Sequence, residues 1–426
     1  MKTNLICAAL VAALLSSTAA VAQMGGGAPV SSGQPARAHT TDPGKVGSAV
    51  GKPLSAASAA MQKQDWPTAL ASLKDAQAVP DQNPFETYMV NKFLSFVYIN
   101  TKDFPNATIA IEAAADSPAM PDADAKDILH NALLLAAQAQ QNDKVIAYAQ
   151  RLEPIAPLDA QLSAMVAVSY YDLKDMAHAK DYAQKSLDAS KAAGTPPEAN
   201  ASAIVMNAQA KSDPAAALRT LEQMAVSYNH PEDWDKLVGV SLGTKGLANA
   251  DALNMYRLLN LIGPMLTADD YTYLGNLAVD QRDPKEAAVV LEAGVATGKI
   301  QSSAMLTKAR ASAASDERVL SQAASAAEKS KRGDDDMQIA QDYWGYGRYA
   351  DVEATARAAL AKGGVKDPGE ANLLIGMALV AQGKYDAGKA QLAQVNGSEG
   401  RMKTAHLWTL YAEAKTQGAA PAAPAH

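Results

Sequence analysis

Residues 269–294 read DDYTYLGNLAVDQRDPKEAAVVLEAG. Tyr271, Leu274 and Ala278 recur at helical spacing, a polar break follows, and Ala287, Leu291 and Gly294 resume the period after Asp283 and Pro284. The stretch therefore holds a helix, a tight turn and a second helix. The same plan returns along the chain in DWPTALASLKDA (65–76), DFPNATIAIEAA (103–114), NDKVIAYAQRL (142–152), DMAHAKDYAQKSL (175–187) and DPAAALRTLEQM (213–224). Each copy opens on a turn-forming Asp or Asn and carries a small or branched anchor a helical turn later: Ala69, Ala107, Val145, Ala179, Ala217 and Ala287. The anchors recur every 34 to 38 residues, with a last gap of 70 that holds about two units. A second apolar stretch precedes the turns, as in FETYMVNKFLSFVYI (85–99) and AQLSAMVAVSYYDL (160–173). Neither helix of such a pair buries its apolar face alone, whereas stacked copies share one core.

Composition agrees with this reading. Aromatic residues make up 5% of the 426 and charged residues 19%. Alanine dominates the apolar set, which favours close-packed helices over sheet. With 38 Lys and Arg against 45 Asp and Glu the formal charge is −7, and no local basic patch offsets it. That balance argues against nucleic acid and anionic lipid as partners.

The spacing resembles that of tetratricopeptide repeats. Tyr271, Leu274, Gly275, Ala278, Pro284, Ala287, Leu291 and Gly294 carry the likeness in one copy. Ile339, Ala340, Tyr343, Gly347, Tyr349, Ala356 and Ala359 carry it in a second, and Ile375, Gly376, Leu379, Gly383, Tyr385, Leu392 and Val395 in a third. Trp234 and Leu237 open a further unit that departs from the pattern at Asn254 and Arg257, and residues 302–331 keep only bare helix periodicity. The resemblance implies an all-α, right-handed α-solenoid of stacked helix-turn-helix pairs. It covers a longer array at 51–331, with a degenerate last unit, and C-terminal repeats with a capping helix at 332–416. The charged, glycine-bearing KSKRGDDDM (329–337) is a possible hinge between them.

Residues 1–22, MKTNLICAALVAALLSSTAAVA, have one cation, an apolar run too short to span a bilayer, and small residues before Gln23. They read as a secretory signal peptide cleaved after Ala22, and no later stretch is long enough to span a membrane. The leader resembles bacterial ones, so the periplasm is the expected compartment, with secretion as the alternative. Cys7 leaves with the leader, so the mature chain forms no disulfide or thiolate site. The Gly, Pro and Ser-rich 23–50 is expected to be a flexible tether, and the Ala/Pro tail 417–426 to remain unpacked.

Chemical motifs are sparse. Gly239, Ser241 and Gly243 satisfy the spacing of a nucleophile elbow but lie in a helical context, whereas the elbow needs a strand before the serine. GKVGSAVGK (44–52) lacks the leading glycine and final hydroxyl of a phosphate loop. Asp334, Asp335 and Asp336 lack the alternating ligands of a calcium loop and are expected to cap the next helix. Trp344 and Tyr346 are expected to be buried at a repeat turn. No catalytic, cofactor or metal site is expected, and the chain reads as a scaffold for a protein or peptide partner. An envelope enzyme with a positioning solenoid and a self-assembling structural solenoid are the alternatives; oligomeric state is not legible. The resemblance further implies that first helices line the binding groove. Counting from their small-residue positions selects Phe96, Ile99, Asn100, Val168, Tyr171 and Asp172, with Lys92 and His130 nearby.

Overall fold

The computed structural model describes residues 44–263 and 267–417. The expected leader, most of the tether and all but the first residue of the tail lie outside them. Every regular element among the described residues is an α-helix. The chain divides into two compact units, one ending at Ala208 and the other beginning at Gln209.

The first unit contains α1 (Ser48–Gln62), α2 (Trp66–Gln77), α3 (Pro84–Asn100), α4 (Phe104–Ala115), α5 (Asp122–Gln138), α6 (Asn142–Leu152), α7 (Ala160–Asp172), α8 (Met176–Ala193) and α9 (Ala199–Gln209). Consecutive helices pack as pairs, and each pair packs on the next. One turn builds the pairs. Gln64, Lys102, Gln140 and Lys174 each take the left-handed conformation. The following amide then donates five residues back: Asp65 to Ala60 O, Asp103 to Tyr98 O, Gln141 to Ala136 O and Asp175 to Tyr170 O, each at 2.9 Å. This six-to-one bond closes the first helix, and in three of the four turns the same residue is an Asp that caps the second, whereas Gln141 makes no side-chain cap. Asp65 accepts from Thr68 N, Asp103 from Asn106 N and Asp175 from His178 N. Pro67 and Pro105 lie in the first turn of their helices, where a missing N–H leaves nothing unpaired. The anchors Ala69, Ala107, Val145 and Ala179 are all buried.

Packing starts before the tether's expected end at residue 50. Helix α1 begins at Ser48 with Val50 buried. Gly47 N donates to Glu86 Oε1 at 2.8 Å, and Asn83 Nδ2 donates to Lys45 O at 3.0 Å. A buried apolar side chain and these bonds tie residues 45–50 to α3.

The second unit contains α10 (Pro214–Tyr228), α11 (Pro231–Leu242), α12 (Asn249–Ile262), α13 (Ala268–Asp280), α14 (Pro284–Ala296), α15 (Ala304–Lys329), α16 (Gly333–Gly345), α17 (Tyr349–Lys362), α18 (Pro368–Ala381), α19 (Tyr385–Leu392) and α20 (Glu399–Gln417). The same turn joins α13 to α14 through Arg282, α16 to α17 through Gly347, and α18 to α19 through Gly383. Gly275 and Gly376 permit close crossings, because a Cβ on either would meet Leu291 at 2.8 Å or Leu392 at 2.7 Å. The region 302–331, read as bare helix periodicity, is largely the single 26-residue helix α15, which buries only Leu306, Ala309, Ala313, Leu320 and Ala327. No turn residue interrupts it, and alanine sustains it.

Helix α20 does more than cap the last pair. It folds back on the start of the unit, packing against α10, α11 and α12 as well as α18 and α19. Trp408 is fully buried and donates to Asn254 O at 2.9 Å. Ser398 donates to Asp251 Oδ2 at 2.9 Å, and Lys403 to Thr244 Oγ1 at 3.1 Å. His406 pairs with Glu222 at 3.0 Å. Trp408 also meets Trp344 edge-on, as Tyr411 meets Trp234.

Candidate functional site

The first-helix faces of the second unit are not uniform. On α16 and α18 Trp344, Met377 and Val380 are buried, and α20 packs against α18, whereas on α13 the equivalent Asn276, Val279 and Asp280 are exposed. Helix α18 is buried continuously from Leu373 to Val380. In the first unit the equivalent positions on α3 and α7 stay partly open. Phe96, Asn100, Val168 and Tyr171 are half-buried and Asp172 is exposed. Phe96 meets Trp66 edge-on at 6.0 Å and packs against both hydrophobic clusters of this unit. Asn100 Nδ2 donates to Phe96 O at 2.8 Å. The Lys174 ammonium lies 5.6 Å from the Tyr171 ring centre.

Two expected groove residues stand elsewhere. Ile99, at 4% exposed, is core packed with Ile111 and Leu133, so it offers no ligand surface. Lys92 is buried and bound at 2.8 Å to Asp124, which also accepts from the Tyr88 hydroxyl at 2.7 Å. Its charge holds α3 to α5 and is spent within the fold. A one-residue change of helical phase separates Ile99 from Asn100, so only packing decides which faces inward.

His130 is half-buried on α5. Burial lowers its pKa, against the pull of Asp159 and Asp127. Asp159 caps α7 by accepting from Leu162 N at 2.8 Å. Asp159 and Glu198 both line an open hollow of about 580 Å³ between the start of α7, the end of α8 and the loop before α9. Burial raises the Glu198 pKa, and the Asp159 charge adds to the shift.

The rejected motifs have structural roles. Ser241 lies inside α11 and donates to Leu237 O at 2.9 Å, so its hydroxyl is turned into its own helix. Asp334, Asp335 and Asp336 occupy the first turn of α16, where they favour the helix dipole, but none makes the capping bond the sequence suggested. Asp334 instead accepts from Lys366 N, Asp335 pairs with Arg332, and Asp336 pairs with Lys362. Among the described residues no group of three or more His, Cys, Asp or Glu is placed to hold a metal ion.

Sequence reasoning missed a buried ionic cluster in the second unit. Arg257 Nε donates to Glu286 Oε1 at 2.8 Å, Nη2 to Glu286 Oε2 at 2.6 Å, and Nη1 to Asn254 Oδ1 at 2.9 Å. Asp283 lies 3.6 Å from the same guanidinium, and Trp344 covers it at 5.1 Å. Burial, then the adjacent Glu286 charge, pushes the Asp283 carboxyl well above its usual range. Asn254 and Arg257 are the residues at which their unit leaves the repeat pattern, and that departure is the signal that marks the cluster.

No protein-family model matches the chain, and no curated protein matches it. Solved structures do. A tetratricopeptide repeat protein from Parabacteroides merdae ATCC 43184 is 11% identical over 78% of this chain and 100% of its own, with a TM-score of 0.28. A chain from the structure of Naa15/Naa10 bound to HypK-THB is 11% identical over 87% of this chain and 73% of its own, with a TM-score of 0.26.

Proposed function

We propose that the chain is an exported helical-repeat scaffold that binds a protein or peptide partner on the first-helix face of its first unit, and that it acts by binding rather than catalysis. The observation that carries this reading is the set of partly open positions on α3 and α7, Phe96, Asn100, Val168, Tyr171 and Asp172, which combine two half-buried aromatics with an amide and a carboxylate. Half-buried aromatics supply anchors, and the amide and carboxylate between them fix register. The cleavable leader supports export, with the periplasm as destination. Affinity capture from envelope extract tests the binding reading. Phe96→Ala combined with Tyr171→Ala is expected to weaken capture tenfold or more, on the order of 1.4 kcal/mol. Tyr171→Ala alone serves as a control with less core contact. Normal capture by both variants, each with an unchanged melting temperature, overturns the assignment. Mass spectrometry of the native protein tests export, with Gln23 expected at the N-terminus and an intact Met1 refuting it.

A further inference from the structure

The turn that joins each pair sets a register along the first unit. Two residues before its left-handed residue stand Gln62, Asn100, Gln138 and Asp172, one per pair and each the last residue of its first helix. Among the described residues none of their side-chain oxygens accepts a hydrogen bond, and Gln138 Oε1 is enclosed as well as unpaired. Four residues earlier, one helical turn back on the same face, the last three pairs carry Phe96, Leu134 and Val168. A row of unpaired acceptors thus runs beside a row of apolar side chains, and both repeat once per pair. In the second unit the equivalent last residues are Asp280, Gly345 and Ala381, so only one of the three keeps an acceptor. Packed helices lie about 8–10 Å apart, and three residues of an extended chain cover about 10 Å. A helical ligand spends its N–H groups on its own carbonyls and repeats about every 5.4 Å, whereas an extended one offers free donors at an interval that matches the row.

We infer that the first unit holds its partner as an extended segment, with main-chain N–H groups on the acceptor row and an apolar side chain at every third position along the row of Phe96 and Val168. The inference rests on the protein-binding reading above and adds the conformation of the partner. Main-chain recognition tolerates varied sequence, so selectivity comes from the apolar spacing. A proline whose nitrogen falls on the row is rejected, because it brings no donor.

The test uses the full chain and a fluorescein-labelled dodecapeptide in which Leu-Thr-Ser is repeated, so that leucine fixes the register. Three depsipeptides of the same sequence carry ester oxygen in place of the amide N–H at every third linkage, one for each phase. By fluorescence anisotropy the parent is expected to bind, one depsipeptide to bind at least tenfold weaker, and the other two to stay close to the parent. Asn100→Ala with Gln138→Ala is expected to weaken the parent tenfold or more and to erase the difference among the depsipeptides, while the melting temperature holds. The proposal is overturned if the parent fails to bind at millimolar concentration, if all three depsipeptides weaken alike as loss of a ligand helix would make them, or if the folded double variant still discriminates. Should the double variant melt early, the depsipeptides on the unaltered chain decide alone. The two readings fail separately. Depsipeptides that behave alike, with capture of the envelope partner still weakened by Phe96→Ala with Tyr171→Ala, remove the extended segment and keep the scaffold. Capture that survives that variant removes the scaffold reading as well.

Discussion

Arg257 is buried with Glu286 as its bidentate partner and Asp283 as a second carboxylate, so the cluster carries one more negative than positive group. Glu286→Gln removes the bidentate charge partner and leaves Asp283, 3.6 Å away, as the remaining carboxylate of the cluster. The expected cost is about 3–5 kcal/mol to the second unit, roughly 10 °C or more in its calorimetric transition. Asp283 behaves in the opposite sense. Its folded pKa is raised above the unfolded one, so the stability it contributes is full below the ordinary carboxylate range and is lost as pH rises through the folded value. Each pH unit over which only the folded state keeps that proton is worth about 1.4 kcal/mol. Asp283→Asn retains the cap to Glu286 N and removes the titration. Melting between acid and neutral pH is therefore expected to show a shallower loss in the variant, and an unchanged slope refutes the assignment.

At the scale of elements, the fold is the repetition of one turn. Its left-handed residue is Gln, Lys or Arg in five copies and Gly in two. Glycine enters this conformation without steric cost, whereas a side chain there costs about 1–2 kcal/mol. Gly383→Ala, at a φ of +78°, is expected to destabilise by about 1 kcal/mol, and Lys102→Gly to be neutral or slightly stabilising; chemical denaturation reads both. The helix crossings are similarly specific. Gly275→Ala places a methyl 2.8 Å from Leu291, which is itself buried and has little room to move. Overpacking of about 1–3 kcal/mol is expected, relieved when Leu291→Ala is added, and a double variant no more stable than Gly275→Ala alone counts against this crossing.

For the whole molecule, the consequential feature is the return of α20. Trp408→Ala removes a fully buried indole and its bond to Asn254 O, with an expected cost of about 3–5 kcal/mol confined to the second unit. Three of the four tryptophans, Trp234, Trp344 and Trp408, lie in that unit and Trp66 lies in the other. In a Trp66→Phe background fluorescence follows the second unit alone. An early fluorescence transition there, with the first unit's calorimetric transition where it was before, is the expected result. A single shared shift contradicts independent stabilisation of the units.

The sequence alone determined the helices, their pairing and the turn. These follow from local causes: a period of 3.6, a capping Asp, a proline in the first turn and an anchor one turn later. It also picked out Phe96, Asn100, Val168 and Tyr171, which the structure leaves half-buried on α3 and α7. It did not separate Ile99 from Asn100, because a helix of known span still has to choose its rotation against neighbours distant in the chain. Nor did it show that Lys92 is spent on Asp124, or that Asp159 and Glu198 line one open hollow. Tertiary structure alone decided where the last helix packs. A repeat pattern treats every copy alike, whereas the return of α20 depends on contacts with helices more than 140 residues earlier, such as Ser398 with Asp251 and Trp408 with Asn254. Those contacts have no period, and only the packed chain brings them together.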